Sequence, residues 1–106
     1  MEDLQKALKD LEEIEQILNR HNYAEPNPNA VKRIRFLAAQ LSGIDAYIGE
    51  KASRIASLAD IFYSDRKHLR HPGGAQSLHT EMSYDLPSRI RGQISTLKSR
   101  AIQRDD

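Results

Sequence analysis

The sequence predicts an all-α fold: a helical hairpin or bundle built on one long central helix. Three observations carry this. Leu4, Leu8, Leu11, Ile14 and Leu18 follow one another at spacings of three and four, a single stripe of a helix over about 2–20. Ile34, Leu41, Ile48, Ile55 and Phe62 recur every seven residues, with Leu37, Ile44 and Leu58 at the companion positions. Ile90, Ile94, Leu97 and Ala101 or Ile102 repeat the helical stripe over about 86–103. At 106 residues the chain is expected to form one helical domain, 1–106.

The first helix has acids in its opening turn, Glu2 and Asp3, and Arg20 and His21 at its close, as the helix dipole favours. Pro26 and Pro28 end it, because each lacks an amide donor and biases the residue before it toward extended conformations. Asn27 is then a side-chain cap for the next helix, with Pro28 in its first turn. That next helix is expected to run from about 29 to 68, bent near Gly43 or Gly49, or else broken there into two helices. Lys51 is the one polar residue in its apolar seam. Small residues crowd the same stretch (Ala38, Ser42, Gly43, Gly49, Ala52 and Ala56 among them), so a second helix can approach closely, from this chain or from a second copy.

His71-Pro72-Gly73-Gly74 ends the long helix, and the two glycines permit positive φ. A short helix over about 77–83 follows, with Ser77 as its cap. The last helix is expected to be capped by Asp85 and to carry Pro87 in its first turn. Its outer face is basic, with Arg89, Arg91, Lys98, Arg100 and Arg104.

Composition excludes several classes of protein. There is no Cys, hence no disulfide and no thiolate metal site, and a reducing compartment fits. No apolar run approaches the ~18 residues of a membrane span. The opening Met-Glu-Asp-Leu-Gln-Lys lacks the apolar stretch of a signal peptide, so a cytoplasmic location is expected. The net charge of +1 gives no overall attraction to nucleic acid or anionic lipid. The charge is unevenly spread, at −3 over residues 1–20 and +3 over residues 64–106. Opposed faces of this kind either pair within the bundle or steer a charged partner.

Four patterns bear on chemistry. His68, His71 and His79, near Asp65 and Glu81, raise a divalent metal site, with His68 and His71 on one face if the helix reaches them; their spacing matches no standard zinc set, and no cofactor is expected. Gly73-Gly74 lacks the preceding strand and the spacing of a phosphate loop, which leaves a chain-reversing turn. Ser77, Thr80, Ser83 and Ser88 lie near His79 and Asp85, without the strained nucleophile or oxyanion hole of acyl transfer. The C-terminal helix carries no aromatic residue, so its basic face does not read as a nucleic-acid surface.

Arg66 and His71, in the order Arg-x4-His, resemble the pattern of the all-helical nucleotide-binding and ribonuclease family known as HEPN. That resemblance implies His71 acting on a ribose hydroxyl while Arg66 steadies the phosphate. Lys67 stands where that family commonly has Asn, Asp or His, and Pro72 directly follows the histidine. Asp60, His71-Pro72-Gly73-Gly74 and Ser77-Leu78 resemble small all-helical bacterial proteins, some of them immunity partners of secreted toxins. This second resemblance implies a non-catalytic inhibitor that works by binding another protein. A small homodimer with a regulatory or nucleic-acid-binding role is the alternative. The expected contact surface surrounds the glycine loop: Tyr63, Arg66, His68, Arg70, His71, Gly73, Gly74, His79, Tyr84 and Arg89. Tyrosine suits such a surface because it buries a large area with few rotors to freeze.

Overall fold

In the computed structural model, which describes residues 2–104 (side chains to 102), the chain forms antiparallel helical columns and no strand among the described residues. Helix α1 spans Glu2–Arg20, α2 Pro28–Ser42 and α3 Ala46–Phe62. A 3₁₀ turn, Lys67–Arg70, precedes α4, Gly74–Thr80. A π-helical turn, Glu81–Asp85, then joins α4 to α5, Leu86–Arg104. The backbone is helical at Thr80, Glu81 and Leu86, so α4, the π turn and α5 make one column. That column returns alongside α1 and α3, while α2 packs on α1 and α3.

The expected single helix over 29–68 is corrected to two. Asn27 does cap α2, its side chain accepting the Ala30 amide at 3.1 Å. The chain then turns at Gly43–Asp45, and Asp45 caps α3 by accepting the Ile48 amide at 2.7 Å. Helix α3 ends at Phe62, short of residue 68. A straight helix over 29–68 would be ~60 Å long, whereas the molecule's longest dimension is 53 Å. The heptad register correctly marks the buried face on both sides of the turn: Ile34, Leu37, Leu41, Ile48, Ile55, Leu58 and Phe62 are all core residues. Periodicity reports which side of the chain meets the core, not whether the axis runs on. The half-buried Ile44 sits in the turn itself. Lys51 keeps most of its side chain covered while its ammonium meets Glu50 and lies 5.1 Å from the Tyr47 ring centroid, the polar tip reaching out of an apolar surround.

The small residues serve this hairpin. Ala38, Ala52 and Ala59 are buried in the core, and a Cβ on Gly49 would lie 3.4 Å from the Ser42 backbone.

The C-terminal column also departs from expectation. The short helix starts at Gly74, not 77, so Ser77 lies inside it rather than capping it. Asp85 does not cap a separate helix either, since it belongs to the π turn. The Leu86 amide bonds the Glu81 carbonyl five residues back. Pro87, which cannot donate and crowds the carbonyl four residues before it, is thereby carried through a continuous column with a local bulge. Leu78, Met82, Leu86, Ile90 and Ile94 keep one face buried across it.

Among the described residues, a single ion pair joins the acidic segment to the basic one within the bundle. Arg91 grips Glu15 between α5 and α1, and Arg33 grips Glu13 between α2 and α1. The guanidinium of Arg33 holds the Glu13 carboxyl below its usual range. Arg54 meets Glu81 at 3.1 Å, tying α3 to the π turn. Among the described residues, no helix is long and apolar enough to cross a membrane.

Candidate functional site

The α1–α2 loop and the segment between α3 and α4 lie at the same end of the bundle, and Tyr63 joins them. Its hydroxyl donates to the His21 carbonyl at 2.6 Å, and its own carbonyl accepts the Asn27 amide at 3.3 Å. Its ring meets that of Phe62 edge-on at 5.0 Å. Only 4% of Tyr63 is exposed, and burial pushes its phenol up to about 12. Tyr63 was expected on the contact surface; the structure makes it a fastener between two loops, because it is the first residue past α3 and still points at the core.

Beyond it the segment is closely built. The Ser64 hydroxyl donates to the Ile61 carbonyl at 2.6 Å and accepts the Lys67 amide at 2.8 Å, which starts the 3₁₀ turn. The Leu69 amide bonds Arg66 and the His71 amide bonds His68. His71, before Pro72, is extended at φ −75° and ψ 134°, as a residue preceding proline should be. Gly73 then turns with φ +85°, where a Cβ would stand 2.6 Å from that of Ser77. Gly74 follows at φ +71°, its amide on the His71 carbonyl at 2.9 Å.

The histidines separate. His79 Nε2 lies 2.8 Å from the Leu18 carbonyl, so that nitrogen carries the proton and the side chain ties α4 to the end of α1. The ring also lies against Phe62. His79 is therefore half-buried and engaged by the fold, in contrast to the expected contact role. His68 and His71 flank the 3₁₀ turn rather than sharing a helical face, since α3 ends before them. His68 is half-buried, with Nδ1 covered and lacking a hydrogen bond. Among the described residues, no group of three His, Asp or Glu side chains is placed to hold a metal ion.

Two of the four hydroxyls considered for acyl transfer are occupied, while Ser77 and Thr80 are exposed. Ser83 donates to the His79 carbonyl at 2.5 Å and Ser88 to the Tyr84 carbonyl at 2.8 Å, each a bond back to its own helix. Arg66 and His71 stand at opposite ends of the 3₁₀ turn, Arg66 exposed and His71 half-buried. Tyr84 is 69% exposed on the π turn. Arg89 is exposed one turn into α5, beside an open groove that also touches Ser77, Glu81 and Asp85. The expected surface therefore divides. Arg66, Arg70, Gly73, Tyr84 and Arg89 face solvent; His68, His71 and Gly74 are partly covered; Tyr63 and His79 are committed to packing.

Two residues missing from the expected set are the most exposed of the large apolar side chains among the described residues. Leu69 is 72% exposed in the middle of the 3₁₀ turn, and Tyr23 is 76% exposed on the neighbouring loop. The available signal was a lone apolar residue in a run of cations, Arg66-Lys67-His68-Leu69-Arg70, directly before a helix-breaking Pro-Gly-Gly.

The chain matches no protein-family model, no curated protein and no solved structure.

Proposed function

We propose that this chain is a non-catalytic protein-binding protein, in its most concrete form a cytoplasmic bacterial immunity or inhibitor protein that neutralises a toxin by direct contact. One observation carries the reading. His79 Nε2, Ser83 and Ser88 are bonded to backbone carbonyls, whereas a closely bonded turn displays Leu69 among cations. An enzyme needs a nucleophile and a base free to meet substrate. Here His79 Nε2 and the Ser83 hydroxyl both bond backbone carbonyls, the Ser83 Oγ also lies 3.3 Å from His79 Nδ1 inside the fold, and Tyr63 holds its proton deep in the packing. A binding surface needs the opposite arrangement: side chains held in place and left open to solvent.

Capture with the tagged full-length chain from its native host tests this. A single protein recovered at fixed stoichiometry, and retained through gel filtration, is the expected result. Recovery of the chain alone, together with salt-sensitive binding to DNA or RNA, overturns it in favour of the homodimer reading. RNA cleavage that is lost in His71→Ala overturns it in favour of the ribonuclease resemblance.

A further inference from the structure

We propose that the end of the bundle carrying Leu69 and Tyr23 docks an acidic protein surface. Leu69 and Tyr23 enter apolar hollows, and Arg66 and Arg70 meet carboxylates around them. This inference rests on the protein-binding reading above and names the chemistry of the partner.

The first support is that the surface is built. The 3₁₀ turn is bonded at both ends through Ser64 and His71, and Tyr63 locks it to the loop bearing Tyr23. A turn already ordered loses little freedom on binding. It nevertheless leaves Leu69 in water, where burial would contribute about 1.5–3 kcal/mol. Leu69 therefore does nothing for the fold at a position the fold holds in place.

The second support is charge. Arg20, Lys32, Arg66 and Arg70 lie at this end, all exposed and without an ion-pair partner among the described residues. The carboxylates nearby are Glu25, Asp60 and Asp65, and Asp60 is already divided between Arg35 at 3.1 Å and Lys67 at 3.9 Å. The surplus is positive, so the complementary surface is acidic. Arginine and tyrosine are also enriched in the energetic centres of protein interfaces.

Other occupants fit less well. Anionic lipid gains about 1 kcal/mol per surface cation, and one leucine without an amphipathic helix adds too little for stable anchoring. Single-stranded nucleic acid needs several stacking rings, and Tyr63 is buried, leaving Tyr23. A second copy would have to offer the acidic flank of α1. On that flank Glu13 and Glu15 are already paired with Arg33 and Arg91, which leaves it little free acid to offer.

The test is selection from a random peptide library displayed on phage, panned on the full chain. Enriched peptides are expected to carry Asp and Glu around Leu, Phe or Trp. Binding of the leading peptide should fall about tenfold or more in Arg66→Glu/Arg70→Glu and about fivefold in Leu69→Ala. Arg100→Glu, far along α5, should leave it unchanged. Selected peptides lacking acids overturn the proposal, and so does equal binding to the charge-reversed variant. Tighter binding of the chain to phosphatidylserine vesicles or to single-stranded RNA also overturns it. If a captured native partner still binds Arg66→Glu/Arg70→Glu, this proposal falls while the protein-binding reading stands. If no partner is captured and no peptide enriched, both fall.

Discussion

The chain reverses direction at the Gly43–Asp45 corner and again between Phe62 and Gly74, and the two reversals are built to different ends. The first spans three residues, near the short end for an antiparallel helix pair, and its one capping carboxylate is fully used. Asp45 accepts the Ile48 amide through one oxygen and the Gln93 side chain at 2.6 Å through the other, so the corner is tied to α5 as well as to α3. The second is longer and is also held by specific bonds, yet it ends with Leu69 in solvent and unpaired arginines around it. Every group described at the corner serves the fold. The longer reversal is ordered beyond what reversing the chain requires, and the proposed contact surface rests on this excess.

Four substitutions or conditions sharpen that contrast. The largest effect is expected for Gly73→Ala, which meets both a left-handed backbone and the Ser77 Cβ. A loss of about 3 kcal/mol in urea unfolding is expected, while Gly74→Ala, with open space around it, loses about 1 kcal/mol from its φ alone. Equal losses at the two positions would show that the turn relaxes freely.

Alkaline pH comes next. The Tyr63 phenol has an ordinary value of 10 and is pushed up to about 12 by burial. Below pH 10 it is neutral in both the folded and the unfolded chain and adds no pH dependence. Between pH 10 and 12 the unfolded chain loses this proton and the folded chain keeps it, so stability falls as pH rises. The loss is on the order of 2–3 kcal/mol across that window. Tyr63→Phe should remove this component, although it starts lower by about 1 kcal/mol for the lost bond to His21. Phenol absorbance of the folded wild type should include a late-titrating component from Tyr63 that the variant lacks.

At the corner, Asp45→Ala should cost about 1–2 kcal/mol, from the lost cap and the unpaired Gln93 amide. Thermal unfolding followed by circular dichroism measures it, and a change under a few tenths would mean that water replaces the carboxylate. The smallest effect is expected for Leu69→Ala, within about 0.5 kcal/mol of wild type. A larger loss would give Leu69 a folding role and weaken its reading as an anchor.

Much of the buried surface was legible in the sequence. The stripe of α1, the two halves of the heptad run and the Ile90–Ile94 face are core apart from the half-buried Leu8 and Ile44, because burial imposes a period whatever the chain does between helices. Asn27-Pro28 was legible as a start because the cap is local chemistry. The corner was harder to see. Gly43 followed by Asp45 is a stop and a start, but the apolar register passes through Ile44 without a gap and conceals both. The π turn was hidden for the opposite reason. Asp85 and Pro87 are strong start signals, yet tertiary packing of Met82 and Leu86 on the same core keeps the column continuous through them.

The candidate surface divides along the same line. Gly73 and Gly74 take the left-handed conformations that their sequence allows, a property of the residue itself. The fate of the side chains around them was decided elsewhere. Tyr63 and His79 turn inward because the end of α1 offers them the His21 and Leu18 carbonyls, which no local pattern contains.

By itself, the sequence determined that this chain is helical and which residues meet the core, since apolar period, proline and capping residues act over a few positions. Only the tertiary structure decided that the heptad run folds back on itself and that the last two helices fuse. It also decided that Leu69, rather than Tyr63, stands in solvent at the His-Pro-Gly-Gly turn. Those outcomes depend on contacts between residues dozens of positions apart, where packing and backbone hydrogen bonding outweigh local preference.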